Sequence, residues 1–470
     1  MQTPASPTHH ERRANVTHAD TRLDQPIRTH DDLLAHFYES AKPAREFRIG
    51  AEMEKFGVYT ATGEPVPYEG DRGVLRVLSS LVDGHAWAPE AEKPGGPIIA
   101  LLRNRASITL EPGAQLELSG APLETIHQIC AELRGHMAEL APVSKDLGIS
   151  WLGLGFHPFA SRGELQFVPK QRYSVMREYL PTRGAHALDM MLRTCTVQAN
   201  YDYLDEADAM RKMRVSLKLS PLTTALFANS PWKEEKPHGG LTYRGRVWLD
   251  VDPDRSGLVP ALWEKDASFA RYVEWALDVP MFLIKRDGEK VANTGQTFRR
   301  FWKDGFEGHH ATQGDWQTHL NTLFPEVRLK KTIEIRGADS QGSALACALP
   351  ALWTGILYDD RALAEADALT GDWKHDEVSA TRAGIWEKGI RASFRGASLQ
   401  GVAERVLEIA EGGLERRAFK RPDGKDERIH LSRLRDLVAK GQSPADRLLR
   451  EGPPGDGFRA RVIGATELVT

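Results

Sequence analysis

Two glutamates two residues apart in an alternating segment, Glu52 and Glu54 in IGAEMEKFGVY, constrain this chain more than any other feature. Successive side chains of a strand point to opposite faces. Both carboxylates therefore share one face, while Ile49, Ala51 and Met53 share the other. The design recurs. SITLEPGAQLEL (107–118) reads as two short strands broken at Pro112-Gly113, with Glu111 beside Thr109 and Glu117 sharing its face with Gln115. In TCTVQANYD (194–202), Gln198 and Asn200 share a face with Thr196 and Asp202, against Val197, Ala199 and Tyr201. KKTIEIR (330–336) puts Glu334 between Thr332 and Arg336, against Ile333 and Ile335. If these segments form one antiparallel sheet, its oxygen-rich face is a carboxylate-lined bowl.

Such a face has two readings. Antiparallel sheets commonly wet one side, and alternation alone predicts no more than that. Glutamate is nevertheless disfavoured in strands, and clustered carboxylates repel one another, so gathering them suits a hard cation. Mg²⁺ takes oxygen ligands and keeps waters and substrate phosphates in its shell. An acidic, strand-borne bowl with arginine nearby therefore points to phosphoryl transfer.

Other signals mostly subtract. The sequence has no G-x-x-x-x-G-K-[ST], G-x-S-x-G or H-E-x-x-H motif. Gly153 and Gly155 in WLGLGFHP lack the third glycine of a dinucleotide fingerprint and read as tight packing. A net charge of -3 with 27% charged residues gives no global field towards nucleic acid or anionic lipid. Three cysteines without C-x-x-C spacing suggest neither a secreted disulfide framework nor a structural zinc site. No apolar run reaches the ~18 residues a membrane span needs. The N-terminal stretch has no apolar h-region, and its acidic residues argue against a transit peptide, so the expected compartment is the cytoplasm.

Residues 1–28 read as a polar tail and 29–470 as a single mixed domain, mainly helical from about 360. Thr29 is a candidate N-cap, and Pro122 is expected to open an amphipathic helix through Ile126, Cys130, Leu133 and Met137. WLGLGF (151–156) reads as a buried strand and 303–315 as a surface loop. Gly412-Gly413 is expected to stop a helix and Ser443-Pro444 to start one.

Long ordered blocks extend these readings: IGAEMEKFGV (49–58), LEPGAQLELSGAPLETIHQIC (110–130), MMLRTCTVQANYDYLDEADAMRK (190–212), FPEVRLKKTIEIRGADS (324–340) and CALPALWTGILYDD (347–360). Over residues 30 to 470 the chain resembles the plant-type glutamate–cysteine ligases. The resemblance implies an α+β fold like that of glutamine synthetases and guanidino kinases, with a curved antiparallel sheet forming an Mg·ATP funnel flanked by helices. It implies that ATP phosphorylates the γ-carboxylate of glutamate and that the amino group of cysteine then attacks, giving γ-glutamylcysteine for glutathione synthesis. By motif, Glu52, Glu54, Glu111, Glu117 and Glu334 match metal-binding or acidic positions, for two or three Mg²⁺ ions. Gln198 stands where more distant ligases carry a metal-binding histidine. Arg336 looks like the arginine that steadies the transferring phosphoryl group, with Glu54 also catalytic. Arg172, Arg244 and Asn200 are candidates for holding substrate. Cys130 and Cys347 match the positions of a regulatory disulfide in that family. The expected partners are glutamate, cysteine and ATP, with no nucleic acid or membrane, and a monomer or redox-dependent homodimer. Two alternatives stay open: a γ-glutamyl ligase for another amine, and an inactive redox-responsive binding protein.

Overall fold

The computed structural model describes residues 23–286 and 289–468. Most of the expected tail, residues 1–22, lies outside them. The remainder is docked: Pro26 bridges Thr312, and the N–H of Ile27 donates to the carbonyl of Ala311 at 3.0 Å while its side chain is buried.

The alternating segments assemble into one sheet of nine strands. In chain order these are β1 (Ile49–Tyr59), β2 (Ala88–Glu90), β3 (Ala100–Arg103), β4 (Ala106–Leu110), β5 (Leu116–Ser119), β6 (Ile149–Leu152), β7 (Thr196–Tyr201), β8 (Val327–Leu329) and β9 (Ile333–Asp339). Every pairing is antiparallel, and the spatial order is β8-β9-β7-β1-β5-β4-β3-β2. The α+β class expected from the sequence holds. β1 is the long central strand: its first half pairs with β7, its middle with β5, and Phe56–Tyr59 turns away to pair with β6. This register sets Glu54 opposite Glu117, Glu52 opposite both Gln198 and Ser119, and Glu334 opposite Asn200. A register shift between Ile335 and Ala338 lets β9 bend where Arg336 leaves it.

The apolar face is closed by helices. With α1 spanning His30–Tyr38, the two that matter here are α2 (Ile126–Leu147) and α3 (Ala348–Leu357), the latter buried throughout. The Tyr201 hydroxyl, on the apolar side of β7, donates to the carbonyl of Pro350 at 2.9 Å. Lys55 is the exception on this side. It is fully buried and donates to the carbonyls of Met53 and Leu116 (3.3 Å each), with Nε2 of His136 at 3.1 Å. Burial depresses its pKa to about 7 and, with the Lys55 charge, holds His136 well below the usual range.

Local boundaries follow capping chemistry. Thr29 caps α1 in a capping box with Asp32, and Ser443 with Pro444 at N1 opens Pro444–Glu451, as the sequence predicts. α2 begins at Ile126 rather than at Pro122, because Thr125 and Gln128 form the capping box. The expected surface loop at 303–315 is shorter: Phe298–Asp304 enters it and Thr312 already caps Gln313–Asn321. β6 takes only Trp151 and Leu152 of WLGLGF. Gly155 is a packing glycine, since a Cβ there would lie 2.2 Å from Cγ of Asp339.

Gly412-Gly413 does not stop a helix. α4 (Leu399–Arg417) runs through both and ends at Ala418 in the left-handed conformation. The reason is tertiary: a Cβ on Gly413 would sit 1.9 Å from the carbonyl oxygen of Gly355 in α3, so the glycine permits a close crossing. Among the described residues no helix is long and apolar enough to cross a membrane. Gly413→Ala is expected to destabilise the fold by about 1–3 kcal/mol through overpacking. Gly412→Ala, which meets only the flexible end of Arg416 at 3.2 Å, is expected to be neutral or stabilising. Equal denaturant midpoints for the two variants would refute the crossing.

Candidate active site

Strand alternation puts Glu52, Glu54 and Glu117 on one face of the sheet, and each is anchored by a neighbouring strand. Glu52 Oε1 accepts from Nδ2 of Asn200 at 2.8 Å, and the Thr332 hydroxyl donates to Oδ1 of Asn200 at 3.1 Å. Glu54 Oε2 accepts from the backbone N–H of Thr196 at 2.9 Å. Glu117 accepts from the hydroxyls of Thr109 at 2.6 Å and Ser119 at 3.0 Å. These bonds fix the carboxylates without neutralising them. Burial, then the charges of Glu334 and Glu117, push the pKa of Glu52 up to about 8. Burial, Glu111 and Glu117 push Glu54 well above the usual range. The face thus concentrates more negative charge than its hydrogen-bond donors offset, which is what a cation site requires.

Glu334 is held the opposite way. Arg328 grips it with two bonds, Nε to Oε2 at 2.7 Å and Nη2 to Oε1 at 2.9 Å, while Lys330 lies at 3.1 Å and Arg336 Nη1 donates to Oε1 at 2.8 Å. Although burial opposes ionisation, these three cations bring its pKa well below normal. Arg336 Nη1 also donates to Oε1 of Gln198 at 2.7 Å. The Gln198 oxygen, the atom that would face a metal, is thereby occupied in aiming Arg336.

The remaining candidates flank this core. Nη2 of Arg244 donates to the carbonyl of Arg336 at 2.9 Å, its Nε is buried with no hydrogen-bond partner among the described residues, and both arginines line one hollow with Thr224, Trp248, Glu326 and Arg382. Arg172 donates to the Tyr173 hydroxyl at 2.8 Å and lies over its ring at 4.8 Å. Tyr173 first, then Glu111 and Glu117, strengthen its hold on its proton. A cleft of about 900 Å³ runs past Lys42, Arg48, Arg105, Asn200, Lys331 and Thr332. Cys130 and Cys347 are joined as a disulfide, Cα–Cα 5.9 Å, between α2 and the start of α3, on the far side of the sheet from the carboxylates. Buried Cys195 is a free thiol whose pKa burial and Glu54 raise.

Two contributors escape reading from the sequence, Arg328 and Lys330, while Lys170, in the same polar stretch as Arg172, is buried with its Nζ donating to the carbonyl of Leu110 at 2.8 Å. Arg328 and Lys330 carried a signal, standing six and four residues before Glu334 across a tight β8–β9 hairpin.

Comparison with known proteins bears on this geometry. Residues 48–463 match the model of glutamate-cysteine ligase family 2 (GCS2). The chloroplastic glutamate–cysteine ligase of Brassica juncea is 44% identical over 424 residues, 90% of this chain and 80% of that protein. Glutamate–cysteine ligase B, chloroplastic, of Oryza sativa subsp. japonica is 41% identical over 436 residues, 92% of this chain and 86% of that protein. A crystal structure of a glutamate–cysteine ligase from Francisella tularensis in complex with AMP shares the fold, with a TM-score of 0.54 at 12% identity, covering 89% of this chain and 87% of that one. The relatives are chloroplastic by name, which overturns the cytoplasmic location expected from the N-terminal composition.

The raised pKa of Glu52 has a measurable sign. Between the ordinary value of 4.5 and about 8 the native state holds a proton that the unfolded chain has released. Stability from this group is therefore full below that window and is lost as pH rises through it. In chelator, wild-type stability is expected to fall more steeply than that of Glu52→Gln from about pH 5 to pH 8, and saturating Mg²⁺ should remove the difference. Parallel stability–pH curves for the two proteins would contradict a crowded acidic face.

Proposed function

The chain belongs to glutamate–cysteine ligase family 2 and joins glutamate to cysteine at the expense of ATP, and on that premise we propose how its own residues perform the reaction. The carrying observation is the buried acidic face of β1 and β5 beside the Arg336–Glu334–Arg328 network. Its donors are all carboxylate oxygens, crowded enough to raise the pKa of Glu52 and Glu54, and this set fits Mg²⁺. Glu52, Glu54 and Glu117, with Glu111 at the rim, would hold two or three ions. Bound there, Mg²⁺ would neutralise phosphate charge between ATP and the glutamate γ-carboxylate.

Each remaining residue has a task set by its contacts. Asn200 positions Glu52, and Gln198 with Glu334 aims Arg336; in this reading neither Asn200 nor Gln198 touches substrate or metal first. Arg336 donates to the phosphoryl group in transfer, where charge spreads over three oxygens and a fixed guanidinium is most effective. Glu334 keeps that guanidinium in place, and because two bonds from Arg328 and one contact each from Lys330 and Arg336 fill its acceptor sites, its part is to anchor Arg336 rather than to offer a free oxygen to an ion. The charge of Arg172 acts on Glu111 and Glu117 and that of Arg244 on Glu54, and we assign both arginines to carboxylates of the amino-acid substrates. The domain reading, residues 29–470 as one catalytic unit, is supported by a single hydrophobic cluster that includes Leu33 and Leu468.

With Mg·ATP and glutamate, ADP release is expected to rise strongly on adding cysteine and weakly with 2-aminobutyrate or a polyamine. Preference for another amine would reassign the acceptor, and no ADP with any acceptor would leave only a binding protein. Arg336→Ala should lower kcat by on the order of 10³-fold and Glu54→Gln by at least ~10²-fold. Both should fold. Glu334 keeps Arg328 and Lys330 in the first variant, and in the second a neutral amide replaces the crowded Glu54 carboxylate. Near-normal turnover in either variant would refute the assignment.

A further inference from the structure

The disulfide on the apolar side of the sheet has a third member. His430, on the 3₁₀ turn Glu427–Leu431, places Nδ1 3.3 Å from Sγ of Cys130. Sγ of Cys130, Sγ of Cys347 and a ring nitrogen of His430 lie within 4.8 Å of one another. Cys130 is buried, whereas Cys347 and His430 are half-buried, so the cluster reaches solvent on one side.

We propose that, once the disulfide is reduced, Cys130, Cys347 and His430 bind a soft divalent cation of the zinc type, clamping α2 to α3 through metal instead of sulfur.

Zinc–sulfur and zinc–nitrogen bonds are about 2.3 and 2.0 Å, so tetrahedral ligands stand roughly 3.5 Å apart. The 3.3 Å between Cys130 and His430 already has that size. Parting the two sulfurs from bonding to ligand distance is a small side-chain movement, and water can take the fourth position. Two features show that His430 is held for such a role. Metal-bound histidines commonly donate their second ring N–H to a fixed acceptor; Nε2 of His430 is 2.9 Å from Nδ1 of His127, which precedes Cys130 in the first turn of α2. With the proton on Nε2, the Nδ1 lone pair faces the sulfurs. The turn itself is pinned to α2: buried Glu427 accepts from the backbone N–H of Ile126 at 2.6 Å and pairs with Arg417 at 3.5 Å. His430 therefore moves with Cys130 rather than apart from it.

The chemistry balances. A dithiol reductant cleaves the S–S bond, delivers two electrons and two protons to the pair, and leaves as its own cyclic disulfide. Metal binding then displaces the thiol protons to water. The carboxylate face, all oxygen and on the other side of the sheet, is chemically distinct and is kept filled by excess Mg²⁺ in the test.

Full-length protein would be reduced with a dithiol under argon, desalted and titrated with Co²⁺ in excess Mg²⁺. One equivalent should bind with thiolate-to-cobalt charge-transfer absorption and tetrahedral d–d bands, and Zn²⁺ should abolish both. The oxidised protein and the Cys130→Ser or Cys347→Ser variants should lack the charge-transfer signature of the two-thiolate site. His430→Ala should weaken binding at least ~10-fold, and His127→Ala about 10-fold. Iodoacetamide labelling read by mass spectrometry needs no variant: Zn²⁺ should slow modification of Cys347 in the reduced wild type at least ~10-fold, as burial in a metal bond requires. A reduced wild type without the charge-transfer band, a band that survives Cys347→Ser, unchanged affinity in His430→Ala, or labelling indifferent to Zn²⁺ would each overturn the proposal.

Discussion

Like charge held together in a buried place is the constraint on which the rest of this structure depends. Glu52 and Glu54 leave one strand on the same side, and the register of β5 brings Glu117 directly opposite Glu54. In a medium of low effective dielectric these carboxylates repel far more than they would in water. The fold answers on one flank with fixed cations, Arg328, Lys330 and Arg336 around Glu334. On the other flank the direct hydrogen-bond donors are neutral groups of Thr109, Ser119, Thr196 and Asn200, and the cations Arg172 and Arg244 act on the carboxylates through space. That asymmetry divides the face into a charge-balanced half, which aims an arginine, and a charge-rich half suited to metal and phosphate.

The sheet also separates two kinds of chemistry. Hard oxygen donors occupy one face, and the soft sulfur–histidine cluster lies under the other, between the helices that close the core. Because α2 and α3 both pack on the strands that carry the carboxylates, a change in how they are cross-linked bears on the backs of β1 and β7. The physical connection is a packed layer of side chains such as Tyr201 and Lys55, whose polar atoms are satisfied by those same helices.

Much of this was legible in the chain. Alternation located the four segments that became β1, β4–β5, β7 and β9, and it assigned their polar faces correctly, since the period of two leaves no freedom once one face is core. Capping residues placed the starts of α1 and of Pro444–Glu451 to the residue. The misreadings have particular causes. Pro122 was a weaker start signal than the Thr125–Gln128 box. Gly412-Gly413 looked like punctuation but serves a helix crossing, because the partner carbonyl of Gly355 comes from a different helix, remote in the chain. Lys55 sat on a face that alternation declared apolar, and only backbone carbonyls and His136 explain its burial.

By itself, the sequence determined the periodicity, the faces and the presence of clustered carboxylates, because these follow from strand geometry acting on neighbouring residues. It could not determine partners. That Gln198 turns its oxygen to Arg336, and that Cys130 and Cys347 meet His430, depend on side chains far apart in the chain. Their juxtaposition is set by sheet order and helix packing, and no local spacing encodes it. The absence of a C-x-x-C pattern argued against a soft-metal site in the sequence, yet three separate helical segments bring the ligand set together once the core has closed around them.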